Sequence, residues 1–507
     1  MGADVKGLAN ISDVITRNAE RDPDGEALLS GRHVVTWGQL DLCVDDATAF
    51  LDGHGIGEGE PVGIALGNSV EHVILLLALL RMGAAPLEIP PDTPPDAMAP
   101  VLTGMNVRVL LCEFSPPGCS VPVIVPVPPH WRPSRSERRR RHARRPADLL
   151  ELFILSSGST GAPKPVPMTQ GALFHRVRLV ETVYFRWWSP ERPGTFLLAN
   201  PIGHSAFLHW FIQQTVMGGR TVLLPQYLYS ADLVRAVAEW DDAILRVVPN
   251  ACRLFLRAAS VSGPLLPGLR LLNCTGQPLF EHEKREILRR VTPNFTESLG
   301  AAGCGPISFL APEDMAAHAA SVGRVTPGVE LRVRGANGAP SPAGSLGRLE
   351  VRSPGMAARF LLDRAPGNET EGFHDGWYRT GDVGRIDGDG ILHIAGRAAD
   401  RIRQGDEELY PTEIEAALSS YPGITEVAVV GYRPPGAGSD VAVAIVGGLS
   451  YAHRTDVAAH CATLLPAARR PRCYLFSDRL PQTATGKVDR PAIRDYLAAN
   501  PPSLSSA

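Results

Sequence analysis

Short apolar runs alternate with helix-like stretches over the first 110 residues, and this alternation constrains the fold more than any other feature of the chain. The run PVGIALG, which begins at Pro61, has the length of a buried strand and ends in glycine. The run SVEHVILLLALLRMG, which begins at Ser69, carries apolar residues at helical spacing. Alternating strands and helices predict a mostly parallel sheet covered by helices on both faces. We therefore expect an α/β fold.

The pattern changes in the last third of the chain. Residues 344–394 contain short strands separated by Gly/Asp turns, as in GRIDGDGILHIAG, which predicts hairpins. The segment after Asp400 shows two helix-like and two strand-like stretches, enough for a small α+β domain. Because one core seldom extends past about 250–300 residues, we expect two domains. Residues 1–398 would form a large N-terminal domain of mixed sheets with flanking helices, and residues 399–507 a small, mobile C-terminal domain.

Charge and hydropathy exclude several classes of protein. The formal net charge of -3 argues against a general nucleic-acid binder, which would carry a basic excess. The longest apolar run, Val73 to Leu80, is too short to span a bilayer. The N-terminus lacks the basic-then-apolar pattern of a signal peptide. We expect a cytoplasmic enzyme with neither a nucleic-acid nor a membrane partner, and we interpret the arginine-rich run at 135–145 as a solvated loop rather than a docking patch.

The scattered cysteines, with no CxxC pair, predict neither a zinc site nor a disulfide framework. Arginine supplies all but four of the 50 basic residues. A lysine inside a motif is therefore conspicuous, because it suggests that a compact ammonium group is needed there.

One such lysine, Lys164, ends the stretch LSSGSTGAPK, which follows the apolar run LFIL. Glycines let a backbone approach an anion closely, hydroxyl and N–H groups donate to phosphate oxygens, and the lysine adds positive charge. The stretch is not a Walker A loop, since Gly-Lys-Ser/Thr is absent. By itself it is equally compatible with a flexible surface turn.

Two further segments carry candidate residues. In WYRTGDVGRIDGDGILHIAGR, Asp382 and Arg397 could hydrogen-bond a ribose diol, although a hairpin with a surface Asp and Arg gives the same pattern. In PQTATGKVDR, Lys487 lies on a loop near the C-terminus, where a mobile tail lysine is the alternative.

Together these segments resemble the adenylate-forming family of acyl-CoA and aryl-CoA ligases, luciferases and peptide-synthetase adenylation domains. LLALLRMGAAPLEIPPDTP and NPIGHSAF resemble two further motifs of that family, and all of them follow in its order along nearly the whole chain. The resemblance implies an AMP-forming ligase with a two-step reaction. A carboxylate attacks the α-phosphate of ATP, giving an acyl-adenylate and pyrophosphate, and a thiol or amine then takes the acyl group.

The resemblance also implies roles for individual residues. Lys487 would bridge the carboxylate and the α-phosphate, His204 would act as a gate or wall beside the reaction centre, and Ala399 would lie at the hinge. The ATP-binding set would be Ser156, Ser157, Gly158, Ser159, Thr160, Gly161, Lys164, Gly276, Leu299, Asp382, Ile394 and Arg397. The acid pocket would be lined by Ser205, Ala206, His209, Asn273, Thr275, Ser298, Gly300 and Pro306.

Departures from the family pattern concentrate at its magnesium loop. The family has Tyr-Gly-x-Thr/Ser-Glu where this chain has Leu299 to Gly303, so Gly303 replaces the glutamate that helps hold Mg²⁺ beside ATP. Glu297, two residues before Leu299, would point elsewhere. We expect that Gly303→Glu would strengthen Mg·ATP binding. The same losses allow an alternative: a degenerate member that binds a nucleotide, an acyl ligand or a partner without adenylating.

The pocket residues indicate the kind of acid. Ser205 stands where amino-acid-activating relatives place an aspartate for the α-amino group, so we expect a small aryl or short acyl acid rather than an α-amino acid. An atypical acid such as nitrite is an alternative. Asp406 would crowd a pantetheine chain, which makes a carrier protein or an amine a plausible acceptor. CoA stays open as a third acceptor. By analogy, stand-alone arginine-rich members belong to bacterial natural-product pathways. Cys274 and Cys304, close to the pocket, are expected to be buried, unreactive thiols.

Overall fold

The computed structural model describes residues 10–90, 93–113, 121, 123–127, 148–156, 163–225, 231–260, 263–335, 337–362, 371–448, 454–482 and 488–502. Within those ranges, no helix combines the length and the apolar character needed to cross a membrane.

The described helices, in chain order, are α1 (Asp13–Arg21), α2 (Trp37–Gly53), α3 (Val70–Met82), α4 (Pro95–Gly104), α5 (Gln170–Tyr184), α6 (Ser205–Met217), α7 (Ala231–Ala238), α8 (Pro249–Ala258), α9 (Glu281–Arg290), α10 (Met315–His318), α11 (Pro411–Ser419), α12 (Arg454–Leu464) and α13 (Arg490–Ala499). The described strands are β1 (Glu26–Ser30), β2 (His33–Thr36), β3 (Pro61–Ala65), β4 (Ala85–Glu88), β5 (Val109–Cys112), β6 (Val123–Pro126), β7 (Leu150–Leu155), β8 (Pro165–Thr169), β9 (Thr195–Leu198), β10 (Arg220–Leu223), β11 (Ala243–Val247), β12 (Leu271–Thr275), β13 (Phe295–Ala301), β14 (Gly305–Leu310), β15 (Arg324–Val325), β16 (Glu330–Arg334), β17 (Gly347–Arg352), β18 (Glu371–His374), β19 (Trp377–Ile386), β20 (Leu392–Arg397), β21 (Ile402–Gln404), β22 (Glu407–Leu409), β23 (Glu426–Tyr432), β24 (Val441–Gly447) and β25 (Cys473–Ser477).

Two large sheets carry the N-terminal part. The first has nine strands in the order β15-β14-β13-β12-β11-β9-β10-β1-β2, and the second has six in the order β6-β5-β3-β4-β7-β8. The interior strands of both sheets run parallel, whereas antiparallel pairs lie at the edges, such as β1–β2 and β7–β8. The parallel sheets expected from strand–helix alternation are therefore confirmed.

The α3 helix lies in the core shared by the two sheets. Ser69 caps its N-terminus by accepting a hydrogen bond from the His72 N–H, and Gly83 ends it with φ of 78°. Every residue from Val70 to Arg81 except Glu71 is buried, which is what a helix covered on all sides requires. One continuous core joins α3 with α5 and α6 and with side chains from both large sheets.

A third sheet supplies the hairpins that residues 344–394 predict. Its strands are antiparallel, in the order β16-β17-β19-β18, and β20 pairs with the second half of the long strand β19. Leu349, Val351, Tyr378 and Leu392 from this sheet join the core of the two large sheets. The sheet therefore packs against the end of the core where β13 turns into β14.

The C-terminal segment has hydrophobic clusters of its own. Ile402, Leu409 and residues of α11, α12 and β24 form one cluster, and β23 to β25 with α13 form another. Helices α11 and α12 and strands β23 and β24 appear where the sequence pattern predicts them. The expected α/β architecture, a large N-terminal part of mixed sheets with flanking helices and a smaller α+β part, is confirmed.

Candidate functional site

Two predicted site residues, Asp382 and Arg397, face each other across neighbouring strands. Asp382 of β19 is the register partner of Arg397 of β20, and Arg397 Nη1 lies 3.3 Å from Asp382 Oδ1. A third residue, Glu371 of β18, accepts a 2.8 Å hydrogen bond from Arg397 Nη2. The sequence analysis missed Glu371. The only feature of the local sequence that could have indicated Glu371 is its place shortly before the turn that leads into WYRTGD.

Burial and charge act in opposite directions on this cluster. Burial raises the pKa of Asp382, and the Arg397 guanidinium counteracts part of that rise. Burial alone would lower the pKa of Arg397, but the Asp382 and Glu371 carboxylates raise it. Arg397 is thus held as a cation between two carboxylates, with its guanidinium fixed beside Asp382.

Tyr378 connects this cluster to the loop that carries Gly303. Its hydroxyl donates to Glu371 Oε1 at 2.8 Å, and its ring packs in an aromatic trio with Phe360 and Phe373. Burial raises the pKa of Tyr378 well above its ordinary value, and Glu371 adds to the rise. A Cβ at Gly303 would lie 2.8 Å from Tyr378 Cε2 and 3.0 Å from Phe373 Cζ.

The residues at Gly303 do not fit the magnesium site that the family resemblance implies. Position 303 has no carboxylate, and the Tyr378 and Phe373 rings fill the space into which a side chain there would project. Glu297 pairs with Lys284 Nζ at 2.5 Å and is buried, so it points away from this loop as the sequence predicts. Among the described residues, no group of three or more His, Cys, Asp or Glu could hold a metal ion. The expectation that Gly303→Glu strengthens Mg·ATP binding therefore conflicts with the packing.

The ends of the Ser/Gly-rich stretch are held together. The Ser156 N–H donates to the Lys164 carbonyl at 3.0 Å, and the Lys164 N–H donates to Ser156 Oγ at 2.9 Å. The Lys164 ammonium lies 5.1 Å from the centroid of the Phe360 ring. Because Phe360 also packs against Tyr378, the aromatic trio brings Lys164 to the same side of the fold as the Asp382 cluster.

Three predicted pocket residues form a hydrogen-bonded group on β12 and β13. Asn273 Nδ2 donates to Tyr184 Oη and to Thr296 Oγ1, both at 3.0 Å. Ser298 Oγ donates to Asn273 Oδ1 at 3.2 Å, and Thr275 Oγ1 donates to the Ser298 carbonyl at 2.8 Å. All of these side chains are buried, so this hydrogen-bonded group is held in place by the surrounding core.

Other residues predicted to line the acid pocket lie at the start of α6. His204 occupies the N-cap position, Ser205 and Ala206 begin the helix, and His209 is buried one turn later. His209 Nδ1 lies 3.4 Å from Ser205 Oγ. Burial, followed by the charges of Arg176 and Arg246, lowers the pKa of His209 well below its ordinary value. His209 is therefore a neutral imidazole.

Two arginines beside His209 escaped the sequence analysis. Arg176 of α5 is fully buried; it donates to the Gly355 carbonyl at 2.7 Å and to the Ala302 carbonyl at 2.9 Å, and its Nη1 lies 3.3 Å from His209 Nε2. Arg246 of β11 is the register partner of Asn273 and stacks on the Trp210 ring. In a chain this rich in arginine, neither position carries a motif that would single it out.

Arg176 joins the two halves of the site. Through His209 it reaches the pocket wall, and through Ala302 it reaches the loop whose next residue, Gly303, lies against Tyr378. The predicted acid pocket and the predicted ribose site thus lie on either side of the loop at 301–305.

The other predicted residues lie around this arrangement. Gly276 follows β12 with φ of 98°, Leu299 and Gly300 flank a bulge in β13, and Gly300 is the register partner of Pro306. Ile394 is the register partner of Gly384, and Ala399 lies in a single 3₁₀ turn that follows β20. Ser157, Gly158, Ser159, Thr160, Gly161, Lys487 and the run at 135–145 lie outside the described residues.

The two cysteines near the pocket are buried. Burial raises the pKa of Cys304 to about 12 and that of Cys274 well above its ordinary value. Both are therefore protonated near neutral pH and poor nucleophiles, in agreement with the sequence-based expectation.

Comparison with known families identifies two matching segments. The sequence model of the family described as "AMP-binding enzyme" matches residues 15–361, and that of the "AMP-binding enzyme C-terminal domain" matches residues 413–487.

Individual relatives match over nearly their full lengths. The chain is 28% identical to a sulfoacetate–CoA ligase of Cupriavidus necator, covering 94% of this chain and 96% of the relative. It is also 28% identical to an indoleacetate–CoA ligase of Aromatoleum aromaticum, covering 96% and 98%. The o-succinylbenzoate CoA synthetase of Bacillus subtilis has a similar fold. Its complex with an acyl-adenylate intermediate matches with a TM-score of 0.82, 20% identity and coverage of 97% and 99%. Its complex with ATP and a magnesium ion matches with a TM-score of 0.81, 21% identity and coverage of 94% and 98%.

Proposed function

The chain belongs to the family of AMP-binding enzymes, the AMP-forming ligases, and from that premise we propose that it activates a small carboxylic acid with ATP. The products of the first step are an acyl-adenylate and pyrophosphate, and the acyl group then passes to a thiol or an amine. The observation that carries the proposal is the Asp382–Arg397 pair, fixed in register across β19 and β20 on one side of the 301–305 loop, with the polar pocket on the other.

The nucleotide would lie along the third sheet. Asp382 accepts hydrogen bonds from the ribose hydroxyls, Arg397 assists as a fixed cation, and Leu299 covers a face of adenine. Lys164, at the closed end of its loop, offers an ammonium group to the β- and γ-phosphates together with the loop's own N–H and hydroxyl groups. The pairing of Arg397 with Glu371 supports this role, because it holds the guanidinium in place before the nucleotide arrives.

The acid would lie between α6 and β12. Ser205, Asn273, Thr275 and Ser298 supply hydroxyl and amide groups, and neutral His209 forms part of the wall. Ser205 is half-buried and the other four side chains are buried, which supports a pocket that excludes water, in which electrostatic stabilisation of a developing charge is strong. Ser205 provides no carboxylate for an α-amino group, which favours an aryl or short acyl acid.

Lys487 would bridge the reacting carboxylate and the α-phosphate during adenylation. We place it in a C-terminal domain of residues 399–507, joined at Ala399 to an N-terminal domain of residues 1–398. The separate hydrophobic clusters that begin at Ile402 support this boundary. The acceptor of the second step would be CoA, a carrier protein or an amine, and a place in bacterial natural-product synthesis stays a prediction from analogy.

The filled space at Gly303 favours a second candidate function. With aromatic rings where the family places a magnesium carboxylate, the chain would bind a nucleotide or an acyl ligand without adenylating. Only the first of the two functions forms an acyl-adenylate and releases pyrophosphate.

The test is pyrophosphate release from ATP, with Mg²⁺ present, across a panel of aryl, short acyl and amino acids and nitrite. Lys487→Ala serves as the inactive control, and Arg479→Ala, at an exposed position near the same end of the chain, controls for the loss of one positive charge. Release that depends on Lys487 with one class of acid supports the ligase. If no acid of the panel gives pyrophosphate release while calorimetry shows that ATP still binds, the second candidate function is favoured.

A further inference from the structure

Two buried cations lie beside the predicted acid pocket. Arg176 is completely buried and Arg246 is 8% exposed. No carboxylate of the described residues forms an ion pair with either one. Burial lowers the pKa of both guanidinium groups to about 10, so both stay charged at neutral pH.

Other buried cations of this protein do have partners. Arg81 is paired with Asp41 at 2.7 Å and with Asp45 at 2.6 Å, and Lys284 is paired with Glu297. A buried charge without a partner is costly, and proteins keep one mainly where a ligand or a reaction uses it. The two arginines are therefore exceptional within their own fold.

The nitrogens of Arg176 are already committed. They donate to the Gly355 and Ala302 carbonyls and contact His209 Nε2. These bonds fix the guanidinium but bring no negative charge. Arg176 thus contributes a positive field to the pocket and positions His209 and the 301–305 loop.

Arg246 has donors to spare. Its Nε is buried and has no hydrogen-bond partner. Its guanidinium is hydrogen-bonded to the Tyr184 hydroxyl and lies 4.6 Å from the centroid of the Trp210 ring. A guanidinium that offers an unused N–H group from a rigid strand is suited to a carboxylate or a sulfonate.

A second unpaired group lies on the neighbouring helix. Gln213 is fully buried, and neither its Oε1 nor its Nε2 has a partner. It lies one turn beyond His209 on the same face of α6, since residues four apart share a helix face. Gln213 therefore adds an unused hydrogen-bonding side chain one turn beyond His209.

We propose that the acid substrate carries a second anionic group, a carboxylate or a sulfonate, which Arg246 binds at the far end of the pocket from the reacting carboxylate. This inference rests on the proposed function for the identity of the pocket. A singly charged acid would leave Arg246 unpaired, so the second charge determines specificity. Arg176 acts as the positioning residue and adds to the field.

The test is isothermal titration calorimetry with matched acids that differ by one anionic group: benzoate against isophthalate and 3-sulfobenzoate, and butanoate against glutarate. For wild-type protein we expect the second charge to tighten binding by about tenfold or more, the range of hydrogen bonds to charged groups. Arg246→Met should reduce the difference to about twofold, and Arg246→Lys should keep part of it. Arg178→Met, an exposed position on the same helix as Arg176, is the control for net charge.

Thermal unfolding provides a readout that a purely structural arginine would not give. Removing an uncompensated buried charge in favour of an apolar side chain is neutral or stabilising, so Arg246→Met should keep or raise the Tm. The doubly charged acids should raise the Tm of the wild type and not that of Arg246→Met. A Tm lowered by Arg246→Met, with equal ligand shifts in both proteins, would mark the residue as structural and overturn the proposal.

The remaining outcomes separate this inference from the proposed function. Preferential binding of doubly charged acids without pyrophosphate release would refute the ligase and leave the inference standing. If singly charged acids give pyrophosphate release as fast as the doubly charged acids paired with them, the ligase is supported and the inference is refuted. If Arg246→Met weakens both members of each pair equally, Arg246 binds the reacting carboxylate itself and the proposal fails. Should that variant not fold, the preference of the wild type alone decides.

Discussion

The ring of Tyr378 occupies the space into which a side chain at Gly303 would project, with Tyr378 Cε2 2.8 Å and Cζ 2.9 Å from the position of a Cβ there. Tyr378 cannot easily move away. It is 1% exposed, is packed against Phe360 and Phe373, and is hydrogen-bonded to Glu371. Glycine at 303 and tyrosine at 378 are therefore complementary in size.

Gly303→Ala is accordingly expected to lower the free energy of unfolding by about 1–3 kcal/mol, the usual cost of overpacking. Gly303→Glu should cost at least as much and should not strengthen Mg·ATP binding. Urea unfolding measures the first effect and calorimetry the second. Gly53→Ala is the control, because a Cβ at that helical position meets nothing within 4 Å; it should be neutral or stabilising by about 0.5–1 kcal/mol. Equal effects of the two alanine substitutions would refute the packing argument.

The elements that the sequence predicted correctly are those with strong local signals. Helix α3 is apolar around nearly its whole circumference. The serine that caps it, Ser69, and the glycine that ends it, Gly83, directly flank it in the sequence. The hairpin β19–β20 has its turn residues between two apolar runs. Such features need no knowledge of distant contacts.

The residues that escaped prediction depend on distant packing. Arg246 has the same local context as any strand residue, and its lack of an anionic partner appears only when β11, α5 and α6 are assembled. Glu371 meets Arg397 across 26 positions of sequence. Lys284, conspicuous as one of only four lysines, lies in a structural ion pair instead of a catalytic motif. Scarcity of a residue type therefore does not by itself separate a ligand-binding lysine from one in a structural ion pair.

The Lys284–Glu297 pair gives a second prediction. Both side chains are buried, and Lys284 Nζ also donates to the Ser321 carbonyl at 2.7 Å. Lys284→Met leaves Glu297 as an uncompensated buried charge and should cost about 3–5 kcal/mol of unfolding free energy.

The double variant with Glu297→Leu should recover most of that loss, because neither charge is then left alone. Urea unfolding of both single variants and the double variant completes the cycle. Strictly additive costs would show that the two residues do not interact. Retained nucleotide binding in the double variant would confirm that Glu297 has no part in holding the phosphates.

His209 leads to a prediction for the pH dependence of stability. Because burial and the charges of Arg176 and Arg246 lower its pKa well below the ordinary value, the folded state keeps it neutral while the unfolded state takes up a proton below about pH 6.5. Stability should therefore fall as the pH drops from about 6.5 towards the lowered pKa, by up to about 1.4 kcal/mol per pH unit. Urea unfolding from pH 7 to pH 5 should show a shallower decline for His209→Gln than for the wild type. His33→Gln, at an exposed position, should follow the wild-type curve, and a His209→Gln curve parallel to it would contradict the prediction.

His72 should change the stability with pH in the direction opposite to His209, so that stability falls as the pH rises. Burial alone would lower its pKa, but Glu88, whose Oε2 lies 3.0 Å from Nε2, raises it, and Nδ1 is 3.1 Å from the Gly67 carbonyl oxygen. Its stabilising contribution is thus complete below pH 6.5 and is lost as the pH rises through the raised pKa. Between pH 6 and pH 8.5, the free energy of unfolding of the wild type should fall by up to about 1.4 kcal/mol per pH unit because of His72. In His72→Gln this part of the decline should be absent. An unchanged slope in urea unfolding would mean that His72 stays neutral in the fold.

Asp382→Asn tests the ribose site directly. The substitution keeps the shape of the side chain but removes the negative charge of the carboxylate, which pairs with Arg397 and would accept hydrogen bonds from the ribose hydroxyls. Because hydrogen bonds to a charged group contribute about 1.5–3 kcal/mol, AMP and ATP affinity in calorimetry should fall by about 10- to 150-fold. Asp375→Asn is the matched control: Asp375 lies in the adjoining turn, its side chain is 96% exposed, and its φ of 46° suits asparagine. Equal nucleotide affinity in the two variants would place the ribose elsewhere and leave the Asp382–Arg397 pair as a structural bridge between β19 and β20.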